Sequence, residues 1–181
     1  HVDFDRLGVH FHDDMGCATA NALAAYRAGV GKADVSVAGL GERAGNSPLE
    51  EVAVACAVDH DDNLGLATDE LVPACRDILN RLGEPYEDRK AVLGEKIAEH
   101  ESGIHTAAML ADPATLEPFD PGQFGGERRL VFGKPTGASG ARRLLERAGI
   151  EPDEETVTAY LDALATEGPL SKGEPHPRSY G

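Results

Sequence analysis

The first sixty residues alternate between strand-like and helix-like patterns, and this order constrains the fold more than any other feature of the chain. Residues 7–12 alternate in polarity, with Val9 and Phe11 on one side and two histidines on the other, as in a β-strand. The Ala-rich residues 17–28 have high helix propensity and end at Gly29, a residue suited to a helix C-terminus. These patterns predict a first strand followed directly by a first helix.

The same order repeats further along the chain. Residues 34–38 alternate a second time and run into a Gly-rich turn at residues 39–46. Ser47 and Glu50 then match a capping box, with Pro48 at the first helical position, and predict the start of a second helix. A β-α-β-α order implies parallel strands with crossover helices, either in an open doubly wound sheet or in part of a (β/α)8 barrel.

The later segments predict helices rather than strands. An apolar stripe over residues 71–82 ends at Gly83, and a shorter stripe near Leu144 ends at Gly149. A last stripe follows Asp153, a residue type that commonly caps helix N-termini. We therefore expect a helical region after the two strand–helix pairs.

Composition excludes several classes of protein. With 32 acidic against 17 basic residues, the net charge of -15 would repel a phosphate backbone or an anionic membrane surface. No apolar run of about 18 residues predicts a membrane span, so we expect a cytoplasmic protein without nucleic-acid or membrane partners. Cys17, Cys56 and Cys75 lack C-x-x-C spacing and are expected to be reduced core residues. Because the chain begins with His1 rather than Met, it is expected to be a fragment.

His10 and His12 are the first candidates for chemistry. Two residues apart on a strand, they project from the same face about 7 Å apart, at the strand end where α/β enzymes place their active sites. They could chelate one cation or merely form hydrogen bonds in a polar groove. Asn46, at the same end of the next strand, could face the same cavity; the alternative is a tight turn in which Glu42 pairs with Arg43.

Four segments together resemble the 2-isopropylmalate and homocitrate synthases, which are metal-dependent enzymes that condense acetyl-CoA with a 2-oxo acid. The matching segments are Val9–Asp14, Asn21–Ala25, Gly39–Asn46 with Leu49–Glu51, and Glu99–His105. The resemblance implies an α/β fold, with the last two βα units of a TIM barrel in residues 1–60. It also implies a mostly helical C-terminal subdomain in residues 61–167 that reaches over a neighbouring subunit of a homodimer. A flexible tail is expected from residue 168 to residue 181.

The same resemblance assigns roles to individual residues. It implies that His10 and His12 bind a divalent cation directly, with Asn46 as a weaker or outer partner, and that this cation is Mg, Mn or Zn. It also implies that His105 is a catalytic residue delivered from the helical subdomain.

The resemblance also assigns roles to three residues in the turns at residues 13–16 and 39–46. Glu42 is implied as a second candidate for proton transfer or orientation, and Asp14 and Arg43 as substrate-binding residues. The enzyme would be an acyltransferase of amino-acid biosynthesis whose site is shared across the dimer interface.

The chain departs from the family's pattern in three respects. Asp13 stands where the family usually has Asn, and Lys134-Pro135-Thr136-Gly137 stands where related enzymes often have Lys-His-Ser-Gly. An acidic metal ligand and an Arg that the family carries on its first barrel strand find no match here, so the chain alone is expected to be inactive. Two alternatives are a metal-dependent lyase of the same superfamily that cleaves a 3-hydroxy-acyl-CoA, and a non-catalytic assembly subunit.

The charge pattern gives a first testable prediction. Only five of the seventeen basic residues are Lys, and such an acidic, Lys-poor chain is typical of a protein adapted to concentrated salt. The melting temperature of the full-length protein should rise as NaCl is raised from low to molar concentration, because counterions screen the repulsion between carboxylates. Differential scanning calorimetry at a series of NaCl concentrations measures this, and a flat or falling melting temperature would point to an ordinary acidic enzyme.

Overall fold

Two compact units make up the fold. The computed structural model describes residues 2–100, 113–115, 117–130, 137–147 and 149–167. The first unit takes its described residues from 1–97 and 121–126, and the second from 98–120 and 127–181. No helix among the described residues has the length and apolar composition needed to cross a membrane.

The first unit begins with a parallel β-α-β arrangement. Strand β1, Gly8–His10, pairs in parallel with strand β2, Lys32–Asp34, so that Val9 lies opposite Ala33. Helix α1, Ala18–Arg27, connects the two strands. The predicted first strand and first helix are therefore confirmed, and the pairing has the parallel sense that the order of elements implied.

Helix α2, Leu49–His60, follows β2 and packs on the same layer as α1. A buried cluster joins the two helices through Ala22 and Cys56, and Phe11 packs against this cluster from the strand side. Small side chains on α1 allow close helix–helix approach, and burying a large apolar side chain such as Phe contributes about 1.5–3 kcal/mol. Phe11, which was predicted on the side of the strand opposite the histidines, therefore packs against the buried cluster.

The second strand lies earlier in the chain than the pattern suggested. Strand β2 ends at Asp34, whereas alternation predicted residues 34–38. The extended conformation is interrupted at Ala38, which has a left-handed φ of 53° inside a 3-10 turn spanning Val37–Gly39. The bounds of β2 are set by its register with β1 and by this turn. Neither can be read from the alternation of apolar and polar residues.

The predicted capping box is wrong. The Ser47 hydroxyl donates a hydrogen bond to the Ala18 carbonyl oxygen at 3.1 Å rather than capping α2. The Glu50 carboxylate accepts a hydrogen bond from the backbone N–H of Ala38 at 2.9 Å. Pro48 precedes the helix instead of occupying its first turn. The side chains of Ser47 and Glu50 thus contact residues outside α2, so the local sequence pattern did not determine their contacts.

The first unit extends beyond residue 60, where the strand pattern stops. Helix α3, Leu71–Leu82, buries Cys75 and Leu79 and ends at Gly83 with φ +70°, as predicted. The guanidinium of Arg76 on this helix donates two hydrogen bonds, of 2.6 and 3.0 Å, to the carbonyl oxygen of the fully buried Leu93. These contacts attach the segment after α3 to the first unit, which runs to residue 97 and also includes residues 121–126.

The three cysteines differ in environment. Cys56 and Cys75 are buried, and burial raises the pKa of both thiols, that of Cys75 to about 11. Cys17 is exposed, so the prediction that all three belong to the core is wrong for this residue. All three are free thiols.

Among its described residues, the second unit contains a short parallel strand pair and two helices. Strand β3, Glu99–His100, pairs with strand β4, Arg129–Leu130; the helices are α4, Ala138–Arg147, and α5, Glu154–Glu167. The two helices share a core of Ala141, Leu145, Val157 and Tyr160. Asp153 accepts a hydrogen bond from the Thr156 N–H at 2.7 Å, which confirms the predicted N-cap. The strand pair was not predicted, and residues 168–181 lie outside the described part of the chain.

Two serines near the strand ends allow a matched test of this packing. Replacing Ser47 by Ala should lower the free energy of unfolding by about 1 kcal/mol, because it removes a buried hydrogen bond to Ala18. Ser36→Ala is the control, since the Ser36 hydroxyl oxygen is buried without a hydrogen-bond partner among the described residues. Urea denaturation of the full-length protein should show no loss in the free energy of unfolding for Ser36→Ala. Equal losses for both variants would mean that the Ser47 contact contributes nothing specific.

Candidate functional site

The loops that follow β1 and β2 meet at one edge of the strand pair. We call residues 11–17 the histidine loop and residues 39–46 the glycine loop. The Asp13 N–H donates to the Gly45 carbonyl oxygen at 2.9 Å, and His12 forms an antiparallel bridge with Asn46. Parallel strands end at the same edge, so the chain brings its two predicted motifs into backbone contact there.

An ion pair joins the same two loops. Two guanidinium nitrogens of Arg43, Nε and Nη2, donate hydrogen bonds to the carboxylate of Asp14, with a shortest distance of 2.7 Å from Nη2 to Oδ2. The hydrogen bond from Arg43 holds the pKa of Asp14 below its usual range. The ion pair formed by Arg43 is thus with Asp14, not with Glu42. The two residues predicted to bind substrate therefore bind each other in this structure.

The predicted metal-ligating histidines lie side by side. The rings of His10 and His12 have centroids 5.0 Å apart in an edge-to-face arrangement. His10 Nδ1 lies 3.5 Å from the nearest carboxylate oxygen of Asp34, on the neighbouring strand. Lys32 also contacts Asp34, and its hydrogen bond is the main cause that lowers the pKa of that carboxyl group. The histidines share one face of the strand pair, as the alternation predicted.

Two polar atoms at the meeting point of the loops are buried and have no hydrogen-bond partner among the residues that the structure describes. These atoms are His12 Nδ1 and Asn46 Oδ1. The other half of the Asn46 amide is engaged, because its Nδ2 donates to the Leu40 carbonyl oxygen at 3.1 Å. Buried polar atoms left unsatisfied are destabilising and usually have a partner that compensates them. An imidazole nitrogen and an amide oxygen both ligate divalent cations, so the donor set fits a metal ion.

These residues form only part of a coordination sphere. Within the described ranges no three His, Cys, Asp or Glu side chains converge closely enough to hold a metal ion. His10, His12 and Asn46 can together supply two imidazoles and one amide oxygen, all neutral. A further ligand with negative charge would have to come from outside this group.

Glycines allow the glycine loop to wrap around the Asn46 side chain. A Cβ at Gly41 would lie 2.5–2.8 Å from the amide atoms of Asn46, closer than real contacts permit. Gly45 has φ +92°, and a Cβ there would lie 2.2 Å from the Gly39 carbonyl oxygen. Only glycine fits at these two positions, so the loop can enclose the amide.

Asp13 has a structural role that either an aspartate or an asparagine could fill. Its Oδ1 accepts a hydrogen bond from the Ala18 N–H at 2.8 Å, at the start of α1. The side-chain oxygens of Asp and Asn serve equally well at helix N-termini. The departure from Asn at this position therefore leaves the fold of the histidine loop unaffected.

The structure does not describe every predicted site residue. Glu42 lies exposed in the glycine loop. His105 and residues 134–136 lie outside the described residues, so the structure does not test the role predicted for His105. The sequence reasoning missed Glu50, which is fully buried and accepts a hydrogen bond from Ala38, the residue before the glycine loop. Glu50 lies in the first turn of α2, close to the buried residues Val52, Ala53 and Val54. The sequence had suggested instead that Glu50 takes part in a capping box.

Comparison with known protein families matches two successive parts of the chain. The HMGL-like family matches residues 3–78. The family described as homocitrate synthase post-HMGL domain-like matches residues 92–168. The first match contains both loops of the candidate site, and the second contains His105.

Individual relatives cover most of this chain. A homocitrate synthase of Methanopyrus kandleri is 43% identical over 162 residues, which are 90% of this chain and 41% of the relative. Homocitrate synthase 1 of a Nostoc species is also 43% identical, over 86% of this chain and 41% of its own. A 2-isopropylmalate synthase of Saccharolobus solfataricus is 39% identical, over 90% of this chain and 43% of its own. The chain spans less than half the length of each of these relatives.

Proposed function

The chain belongs to the family of 2-isopropylmalate and homocitrate synthases, and on this basis we propose that it is part of an acyltransferase that condenses acetyl-CoA with a 2-oxo acid. The observation that carries the proposal is the pair of buried, unpartnered atoms, His12 Nδ1 and Asn46 Oδ1, where the two loops meet. Residues 1–60 would form the last two βα units of a TIM barrel, followed by the C-terminal subdomain. The enzyme would act in the cytoplasm, in amino-acid biosynthesis.

Three residues of this chain would hold the metal. His10 and His12 would bind a Mg, Mn or Zn ion through their imidazoles, and Asn46 would contribute its Oδ1 atom or contact a ligand. When bound, such a cation holds the carboxylate and keto oxygens of a 2-oxo acid and polarises the keto carbon for attack. Because the three residues are neutral, the acidic ligand expected from the family would have to be supplied by residues outside this chain.

Proton transfer would fall to two other residues. A base must take a proton from the methyl group of acetyl-CoA, and the enolate then adds to the keto carbon before water cleaves the thioester. We assign Glu42, which lies exposed in the glycine loop, and His105 to proton transfer or to its orientation. A carboxylate held close to a polarised site can orient an imidazole through a hydrogen bond.

Asp14 and Arg43 would bind substrate at the rim of the site. The guanidinium of Arg43 matches a carboxylate in geometry and charge, and Asp14 already occupies it in that manner. A substrate carboxylate could share or replace this contact. The relatives carry different names, homocitrate synthase and 2-isopropylmalate synthase, so the family does not select one 2-oxo acid.

The proposal is tested with the full-length enzyme by release of free CoA from acetyl-CoA in the presence of 2-oxoisovalerate, 2-oxoglutarate or pyruvate. One of the three should support turnover. His12→Ala should abolish turnover and weaken Mn²⁺ binding by at least about tenfold, because it removes a direct ligand. His60→Ala is the matched control, since His60 lies at the end of α2 and contacts Arg27.

The alternatives predict different results in the same experiment. Cleavage of a 3-hydroxy-acyl-CoA without condensation would identify a lyase. A protein that binds no metal and shows neither reaction would be a non-catalytic subunit. Unchanged metal content in the His12→Ala variant would remove this residue from the metal site.

We further propose a homodimer in which His105 serves the site of the neighbouring subunit. Full-length His12→Ala and His105→Ala should each be nearly inactive alone. When they are coexpressed, one of the two sites in each mixed dimer would be wholly wild type, so the purified mixed dimer should release CoA well above either parent. Mixed dimers as inactive as the parents would mean that His105 acts within its own subunit or has no catalytic role.

A further inference from the structure

Glu50 is a buried carboxylate next to the candidate site that the proposed reaction does not use. It lies in the first turn of α2 with no solvent exposure. Burial raises its pKa, because water no longer stabilises the charged form. A fully buried acidic side chain is rarely kept unless a specific contact compensates it. Two such contacts are present, one to the backbone and one to a lysine.

The backbone contact is made to the turn from which the glycine loop starts. Glu50 Oε2 accepts a hydrogen bond from the Ala38 N–H at 2.9 Å. Ala38 has a φ of 53°, a left-handed conformation that is unfavourable for a residue with a Cβ. The next residue, Gly39, accepts a hydrogen bond from the Asn46 N–H at 2.8 Å. Glu50 is therefore separated from the backbone of Asn46 by only two residues of a strained turn.

The charge contact comes from a distant part of the chain. Lys90 Nζ lies 3.4 Å from Glu50 Oε1, an atom that accepts no hydrogen bond from the described residues. Lys90 also pairs with Glu51, and Glu51 accepts a hydrogen bond from the Thr19 hydroxyl at 2.6 Å. Most of the side-chain surface of Lys90 and Glu51 is buried. The two adjacent glutamates thus share one cation, whereas the hydrogen bond to Ala38, the residue before the glycine loop, is made by Glu50.

Lys90 is itself held in place by the first unit. It lies in the segment after α3, whose Leu93 carbonyl oxygen accepts the two hydrogen bonds from Arg76. The ammonium group pairs with both glutamates, and little of the Lys90 side chain is exposed. Its positive charge lowers the pKa of Glu50 against the opposing effect of burial, and a charged acceptor makes a stronger hydrogen bond to Ala38 than a neutral one.

We propose that Glu50 is a positioning residue for the metal site: its carboxylate, compensated by Lys90, holds Ala38 in the left-handed conformation and thereby fixes the Asn46 amide at the meeting point of the loops. The inference rests on the proposed function, because it takes Asn46 as a contact of the metal. Glu50 touches neither metal nor substrate in this scheme.

The test compares Glu50→Gln with Glu51→Gln in the full-length enzyme. Both changes remove one charge beside Lys90, but only the first weakens the bond to Ala38. Titration of Mn²⁺ followed by electron paramagnetic resonance, without substrate, should show affinity about tenfold weaker for Glu50→Gln, a magnitude typical of residues that support metal ligands. Glu51→Gln should stay within about twofold of wild type. Equal affinities in the two variants would overturn the proposal.

Rescue by Ala38→Gly separates positioning from a general loss of stability. Glycine adopts a left-handed φ without strain, so it should restore part of the Mn²⁺ affinity in the Glu50→Gln background and change little in the wild type. Melting temperatures of the same proteins, measured without metal, report stability independently. Absence of rescue in a stably folded double variant would mean that Glu50 does not act through Ala38.

Two further variants keep the outcome decisive. If Glu50→Gln does not fold, Glu50→Asp keeps the charge for Lys90 but shortens the reach to Ala38, and the same loss and rescue are expected. His12→Ala is measured in parallel. If it also leaves Mn²⁺ affinity unchanged, the proposed metal site has failed; if it alone weakens binding, only the role of Glu50 is refuted.

Discussion

The parallel pairing of Gly8–His10 with Lys32–Asp34 is the interaction on which the candidate site depends. Parallel register makes both strands end at the same edge, so the loops that follow them leave side by side. The backbone contact between Asp13 and Gly45 and the bridge between His12 and Asn46 then become possible. Residues more than thirty positions apart reach one another because a helix of small side chains lets the second helix pack close behind the strands.

The same edge contains several unfavourable local features of the first unit. Ala38 is left-handed, and polar atoms of His12 and Asn46 are buried without hydrogen-bond partners in the described part of the chain. Strain and unsatisfied polar atoms cluster at functional sites when the surrounding structure is stable enough to hold them. Here that stability comes from the buried clusters on α2 and α3 and from the Arg76 bonds to Leu93. The site is thus held in shape by packing that lies behind it.

Local patterns predicted the elements that depend on local forces. Helices α1 and α3 ended at glycines as expected, and Asp153 caps the last helix through its own neighbour Thr156. The second strand and the capping box were wrong because their outcome was decided by residues distant in sequence. Ser47 found Ala18, twenty-nine positions away, and Glu50 found Ala38 and Lys90. The histidine pair and Asn46 were identified from strand periodicity and family resemblance, whereas no local signal could show that Glu50 would be buried.

The uneven environment of the three thiols has a practical consequence for testing the proposed reaction. Thiolates, not thiols, attack disulfide reagents, so the buried Cys56 and Cys75, with raised pKa values, are protected both by access and by protonation. Cys17 lies exposed in the histidine loop, so its thiol is accessible to such a reagent. A chromogenic disulfide that reports the thiol of liberated coenzyme A would also react with the enzyme itself at this position. The absorbance from the first equivalent of reagent that reacts would then report the accessibility of Cys17 rather than the release of coenzyme A.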